Sequence, residues 1–400
     1  MSRIAPARAA RRRLSAVALL AGLAVLVSAA PSGAVVGGSP APPGRWPWMA
    51  AVLERDEADS AWAQYCGGVV IAPRRVLTAA HCAIGERSTA IDVLVGRTRL
   101  TVAGGRRVHV AAISVYPGYV TRREPSLDAA VLTLASDAGV PAVALARPGD
   151  DAAWSPGTQA WAMGWGRLNR RRSEGGQRYY ADRLRELSVP IQGDDACERA
   201  FGLGFSDFPY RPEWLLCAGT AAGTAGVCFG DSGGPLVVGG PAGWLDVGVV
   251  AATDSCAARG YFDLYTRVDR ISGFALARGL TAQPDPVRRP TVTGRLRAGR
   301  IVRCARGGWR GDPARFSFRW RRLGDPRATV RGRRSRYRLT RRDARRGVRC
   351  AVTAANRGGR VTVTARRKPS RRRDGRRRRA EASGASASVA LRGTAVPGLG

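Results

Sequence analysis

Apolar and polar positions alternate along much of this chain, and its apolar runs are short. Arg107-Val-His-Val-Ala-Ala-Ile-Ser-Val115 has the two-residue period of a half-buried strand. Between Cys66 and Cys82, two apolar strand segments flank a turn at Pro73-Arg74-Arg75 and lead into His81. A further apolar strand begins just after Asp128, behind a charged loop holding Arg122, Arg123 and Glu124. Farther on, Phe316-Ser-Phe-Arg-Trp320, Val348-Arg-Cys-Ala-Val-Thr353 and Arg360-Val-Thr-Val-Thr364 are short β-like runs. No internal apolar stretch reaches the roughly 20 residues that a membrane-spanning helix needs. The pattern predicts strands, as an all-β protein would have.

Charge divides the chain unequally. At about 150 residues per domain, 400 residues suggest two or three domains. The net charge is +36, but residues 283–400 hold 36 of the 66 basic residues and six of the 30 acidic ones. The first 34 residues add five arginines and no acid, which leaves 25 basic and 24 acidic residues in between. The middle is therefore near neutral and the C-terminal third carries about +30, so two different objects are joined. Residues 1–34 read as a signal peptide: a basic start, an apolar stretch at 14–27, then small residues with cleavage points at Ser28-Ala29-Ala30 and Ser32-Gly33-Ala34. Export fits eight well-separated cysteines with no Cys-x-x-Cys pair.

The chain has two histidines, so candidates for acid–base chemistry near neutral pH are few. His109 sits inside the alternating strand and reads as an ordinary strand residue. His81 ends the hairpin, where a Cys66–Cys82 bridge would hold the imidazole on a fixed backbone. Cys228-Phe-Gly-Asp-Ser-Gly-Gly-Pro-Leu236 sets Ser232 among glycines that permit a tight turn with inward N–H groups. A serine hydroxyl needs both a base and oxyanion donors to act as a nucleophile, and these two segments offer both.

Five short strings in order carry a resemblance: Val35-Val-Gly-Gly38, Leu77-Thr-Ala-Ala-His-Cys82, Leu127-Asp-Ala-Ala-Val-Leu132, Gly164-Trp-Gly166 and Gly230-Asp-Ser-Gly-Gly-Pro235. Together they make residues 35–282 resemble the trypsin/chymotrypsin-like serine peptidases. The resemblance implies two antiparallel six-stranded β-barrels with the site between them, and a short helix at about 268–277. It makes Ser232 the nucleophile, His81 the base and Asp128 its orienting acid, with the N–H groups of Gly230 and Ser232 as the oxyanion hole. It pairs Cys66 with Cys82, Cys197 with Cys217 and Cys228 with Cys256, which leaves Cys304 and Cys350 for each other. A freed Val35 amine would pair with Asp231, and signal removal after Ala34 would itself release that amine.

The implied specificity pocket is mixed. Gly226 stands where trypsin-like members carry a basal aspartate, which suggests an apolar pocket. Asp263 falls where a pocket-lining glycine is usual, and some relatives with this combination accept basic and apolar side chains alike. Thr253 replaces another glycine and would narrow the entrance. These features point to different substrates and leave the preference open.

The basic third begins after a linker-like stretch at 283–289. Cys304, Trp320 and Cys350 within residues 290–365 suggest a small β-sandwich that resembles the Ig-like modules of bacterial exported proteins. Residues 366–379 hold ten basic residues and one acid, and 366–400 reads as a disordered tail. Such charge attracts anionic polymers. In a secreted or surface-bound monomer these would be cell-wall polymers, membrane surfaces or acidic polysaccharide, with nucleic acid bound only non-specifically. The leading expectation is a secreted endopeptidase acting on proteins or peptides. The alternatives are an inactive binding protein of peptidase fold, or an adhesin. No cofactor or metal-binding motif appears.

Overall fold

Alternation in the sequence becomes a closed barrel. Its strands are Met49–Glu54 (β1), Gln64–Ala72 (β2), Arg75–Thr78 (β3), Ile91–Val95 (β4), Arg106–Val115 (β5) and Ala130–Leu134 (β6). They pair in the order β1-β2-β3-β6-β5-β4 and close on themselves. In β5, Val108 and Val110 are buried and His109 between them is exposed, but a register shift between Val110 and Ala112 breaks the two-residue period, and Ile113, Ser114 and Val115 are all buried. Leu77, Leu94, Leu132 and Leu134 are among the fully buried side chains. Each such burial stabilises by about 1.5–3 kcal/mol.

The structure is a computed structural model and describes residues 35–119, 127–168, 180–202, 209–240, 243–324, 329–330 and 334–367. The expected signal peptide, the loop with Arg122, Arg123 and Glu124, and the tail from 368 onward lie outside the described residues. The chain divides into two compact units, residues 1–285 with 355–361, and residues 286–354 with 362–400.

A second sheet completes the first unit. Its main strands are Gln159–Gly164 (β7), Arg185–Pro190 (β8), Leu215–Ala218 (β9), Pro235–Gly240 (β10), Gly243–Thr253 (β11) and Asp263–Arg267 (β12). They run β8-β7-β10-β11-β12-β9, with Ser39–Pro40 added beside β8 and Ala144–Leu145 beside β11. This differs from the expected closed six-strand barrel. The outer strands meet through one bridge, Ile191 with Ala218, flanked by hydrogen bonds from Gln192 N to Cys217 O and from Gly219 N to Pro190 O. β9 has four residues, too few to build a full ladder along β8.

Short helices punctuate the sheets: Ser60–Ala63 (α1), Ala80–Ala83 (α2), Asp194–Phe201 (α3) and Val268–Ala275 (α4). α4 stops two residues before the expected end. Nothing in the alternation foretold α3, which is tied to β9 by Cys197–Cys217.

In the second unit, Thr291–Thr293 (β14), Ile301–Ala305 (β15) and Arg336–Arg338 (β19) make one sheet in the order β14-β15-β19. Arg315–Arg322 (β17), Thr329–Val330 (β18), Val348–Asn356 (β20) and Gly359–Arg367 (β21) make another, in the order β18-β17-β20-β21, with residues 355–361 of β20 and β21 and the turn between them counted in the first unit. Val302, Cys304, Trp320, Val348, Cys350 and Val352 share one buried core, and Cys304–Cys350 bridges the two sheets. The stretch expected to be a linker is structured. Asp285–Arg288 (β13) pairs with Gly308–Arg310 (β16), and Gln283 is buried with its N–H donated to Ile113 O. The last strand runs to Arg367, past the expected start of the tail at 366.

Candidate active site

The β2–β3 hairpin carries His81 on the single turn of α2, which has no side-chain N-cap. Tethers hold that turn in place of helix length: the Cys66–Cys82 disulfide, and a hydrogen bond from Tyr65 Oη to Cys82 O at 3.2 Å. Asp128, buried ahead of β6, faces it with both oxygens. Oδ1 accepts from the His81 backbone N–H at 2.9 Å and Oδ2 lies 2.6 Å from His81 Nδ1. An ionised carboxylate only accepts, so this pairing puts the ring proton on Nδ1 and leaves Nε2 as the basic nitrogen. Thr266 of β12 donates to the Asp128 carbonyl at 3.2 Å, tying the acid to the second sheet.

Ser232 lies in the turn before β10. Its carbonyl accepts from Gly67 N at 2.8 Å, and Gly233 N donates to Val250 O at 2.8 Å. Gly230 and Gly233 adopt φ of +96° and +81°, a region that strains residues with a Cβ. Ser232 and His81 open onto one cavity of about 500 Å³. The Gly230 carbonyl accepts from the buried Gln64 Nε2 at 2.8 Å, and a Cβ on Gly230 would fall 2.6 Å from Tyr180.

Asp231 is wholly buried. Oδ1 accepts from Gly166 N at 2.7 Å and Oδ2 from Cys228 N at 2.9 Å. No cation lies at ion-pair distance among the described residues. Burial pushes its carboxyl up to about 7, against the opposing pull of those two N–H groups. The Gly164-Trp-Gly166 string has a steric reason, because a Cβ on Gly166 would fall 2.5 Å from the Asp231 carboxyl. Val35 is fully buried, and Val36 bridges to Gly226 on the segment that leads to Asp231.

Gly226, Thr253 and Asp263 come together. Asp263 Oδ2 accepts from Val227 N at 2.7 Å and would sit 2.7 Å from a Cβ on Gly226. Burial raises the Asp263 carboxyl to about 7, opposed by the Thr253 hydroxyl and Val227 N–H and reinforced by Asp231. The carboxyl therefore turns inward, under Gly226. Three consecutive residues of the neighbouring segment, Ser255, Cys256 and Ala257, hold positive φ, and Cys228–Cys256 ties that segment to the nucleophile turn.

His109 is placed elsewhere, on the outer face of β5, with Nδ1 2.7 Å from Asp92. Among the described residues, Cys66, His81 and Cys82 are near enough for metal donors, but the two sulfurs are bonded to each other. Sequence reasoning missed Gln64, Thr266, Tyr180 and Phe229. Gln64 was the nearest to detectable, as a lone amide beside an apolar strand run; the others gave no local signal.

The trypsin family, described as Trypsin, matches residues 35–275, inside the first unit. The chain is 36% identical to a trypsin of Saccharopolyspora erythraea over 234 residues, which is 58% of this chain and 93% of that protein. It is 34% identical to serine protease 28 of Mus musculus over 231 residues, 56% of this chain and 81% of the relative. Serine protease 56 of Homo sapiens is also 34% identical, over 247 residues, but the alignment covers 59% of this chain and 37% of that protein.

Proposed function

Because this chain belongs to the trypsin family, we propose that it is a secreted serine endopeptidase working through Ser232, His81 and Asp128. The observation that carries the reading is the two-point grip of Asp128 on His81 in a cavity shared with Ser232. Ser232 Oγ attacks the scissile carbonyl as His81 Nε2 takes its proton, and the same nitrogen returns that proton to the departing amine. Asp128 holds the ring and stabilises the imidazolium. The N–H groups of Gly230 and Ser232 receive the oxyanion, and water then cleaves the acyl-enzyme by the reverse route.

Activation follows from Asp231. A buried carboxyl with two N–H donors favours a cation beside it, and an amine freed at Val35 would supply one. Signal removal after Ala34 is the proposed source of that amine.

Asp263 is the proposed charge selector of the recess, admitting basic side chains beside apolar ones. With its carboxyl at about 7, preference for Arg or Lys strengthens as pH rises through neutrality, because the ionised form grows. The test is a peptide library varied on the acyl side of the scissile bond, read with protein beginning at Val35. Asp263→Gly should lose cleavage after Arg and Lys by on the order of a hundredfold and keep apolar cleavage. Unchanged basic cleavage in that variant would remove Asp263 from the pocket.

The second unit is the proposed retention module, an Ig-like sandwich for anionic polymers such as those of a cell wall. Arg303 of β15 and Arg336 of β19 are exposed and directly opposite in register. Like charges so placed are destabilising, and a polyanion laid across them would relieve that. Replacing Arg303 and Arg336 by glutamine should weaken retention on an anionic matrix at low salt and leave peptide cleavage intact.

A further inference from the structure

The cavity that opens on Ser232 and His81 draws its lining from several loops of the first unit. Its lining excludes Gly226, Thr253 and Asp263, so it lies apart from the recess assigned to the acyl-side residue. A peptide bound across Ser232 with its acyl side in that recess therefore sends its leaving-group side into this cavity.

Three carboxylates line it: Glu54 at the end of β1, Asp56 two residues on, and Glu86 beyond α2. The guanidinium in the lining, Arg55, is already committed, donating from Nε to Asp92 at 2.8 Å and from its terminal NH2 to the Ile91 carbonyl at 3.2 Å. The three carboxylates have no cation at ion-pair distance among the described residues. Burial, followed by the charges of Glu86 and Glu54, pushes the Tyr65 hydroxyl above its usual range, so the two fields meet on the cavity floor.

The cavity also has an aromatic wall. Phe229 is 49% exposed, and the Tyr180 ring lies against Gly230. The Arg167 guanidinium sits 4.9 Å from the Phe229 ring centre and 5.4 Å from that of Tyr180. Arg167 is outside the lining and lies over both rings. A long cationic side chain suits both surfaces, with its stem along the rings and its head among carboxylates.

We propose that this cavity selects lysine or arginine on the leaving-group side of the scissile bond, with Glu54, Asp56 and Glu86 as its charge-selecting residues. The assignment rests on the peptidase reading above, and its test separates the two. Quenched peptides share one acyl side and carry Arg, Ala or Glu at the first two positions after the bond. The Arg peptide should be cleaved about tenfold faster than the Ala peptide and the Glu peptide more slowly still, with the spread shrinking as salt rises. In the combined Glu54→Gln, Asp56→Asn, Glu86→Gln variant the Arg-to-Ala ratio should fall to near one. The same peptides are titrated onto Ser232→Ala, where the Arg peptide should bind tightest. Cleavage without that ranking, or a ranking that survives in the combined variant, overturns the assignment. A ranking in binding with no cleavage by the parent protein supports the cavity assignment and overturns the peptidase reading instead.

Discussion

Two histidine–aspartate pairs stand in the first barrel with nearly the same spacing. His81 Nδ1 lies 2.6 Å from Asp128, and His109 Nδ1 lies 2.7 Å from Asp92. Both aspartates are buried. Their surroundings differ. Asp128 turns both oxygens to His81, whereas Asp92 divides its oxygens among His109, Arg55 and Arg107. The His81 side chain is 13% exposed and shares a cavity with Ser232, while that of His109 is 65% exposed. A neighbouring carboxylate does not by itself make an imidazole a catalytic base. The carboxylate must be undivided, the ring sheltered and a nucleophile at hand.

The largest expected contrast separates the two rings themselves. His81→Ala should lower kcat by on the order of a million-fold, and His109→Ala should leave it within about twofold. Peptide turnover by purified, folded variants checks both.

Next come the two acids. Asp128→Asn keeps the shape but favours the wrong tautomer, so kcat should fall by about 10⁴-fold. Asp92→Asn should keep activity per folded molecule and lower the unfolding free energy by about 2 kcal/mol, because Arg55 and Arg107 lose a shared partner while remaining partly solvated. Urea titration distinguishes the outcomes.

pH gives a contrast in stability with opposite signs. Burial alone would raise Asp92, but hydrogen bonds from His109, Arg55 and Arg107 hold it below the ordinary carboxylate range. Its contribution is present above that range and lost as pH falls through its depressed value. Asp231 in the uncleaved chain runs the other way. Its folded value is raised to about 7, so the folded state binds the extra proton and stability falls as pH climbs from about 4 to 7. The loss is on the order of 4 kcal/mol. A chain beginning at Val35 should lose that slope, since the freed amine holds Asp231 ionised. Urea midpoints of both forms between pH 3 and 8 test this.

Local strings made much of the site legible. The hairpin ending at His81, the glycine-flanked Ser232 and the strand after Asp128 each announced themselves within a few residues. His109, read as an ordinary strand residue, stands exposed on β5. What escaped notice depends on partners far along the chain. Gln64 meets Gly230, 166 residues away, and no periodicity around residue 64 encodes that contact. Residues 283–289, with Pro284 and Pro286, looked like a linker, yet Asp285–Arg288 within them finds a strand partner in Gly308–Arg310. The near-closure of the second sheet rests on one bridge between residues 191 and 218, a matter of register beyond the reach of alternation.

The assignment of nucleophile and base can be read from a single labelling reaction. Protein beginning at Val35 is treated with a fluorophosphonate and the adduct located by mass spectrometry. One adduct on Ser232, abolished in His81→Ala and retained in His109→Ala, is the expected result. A folded protein that takes no label, or equal labelling of Ser232 in His81→Ala, would refute the pairing of Ser232 with His81.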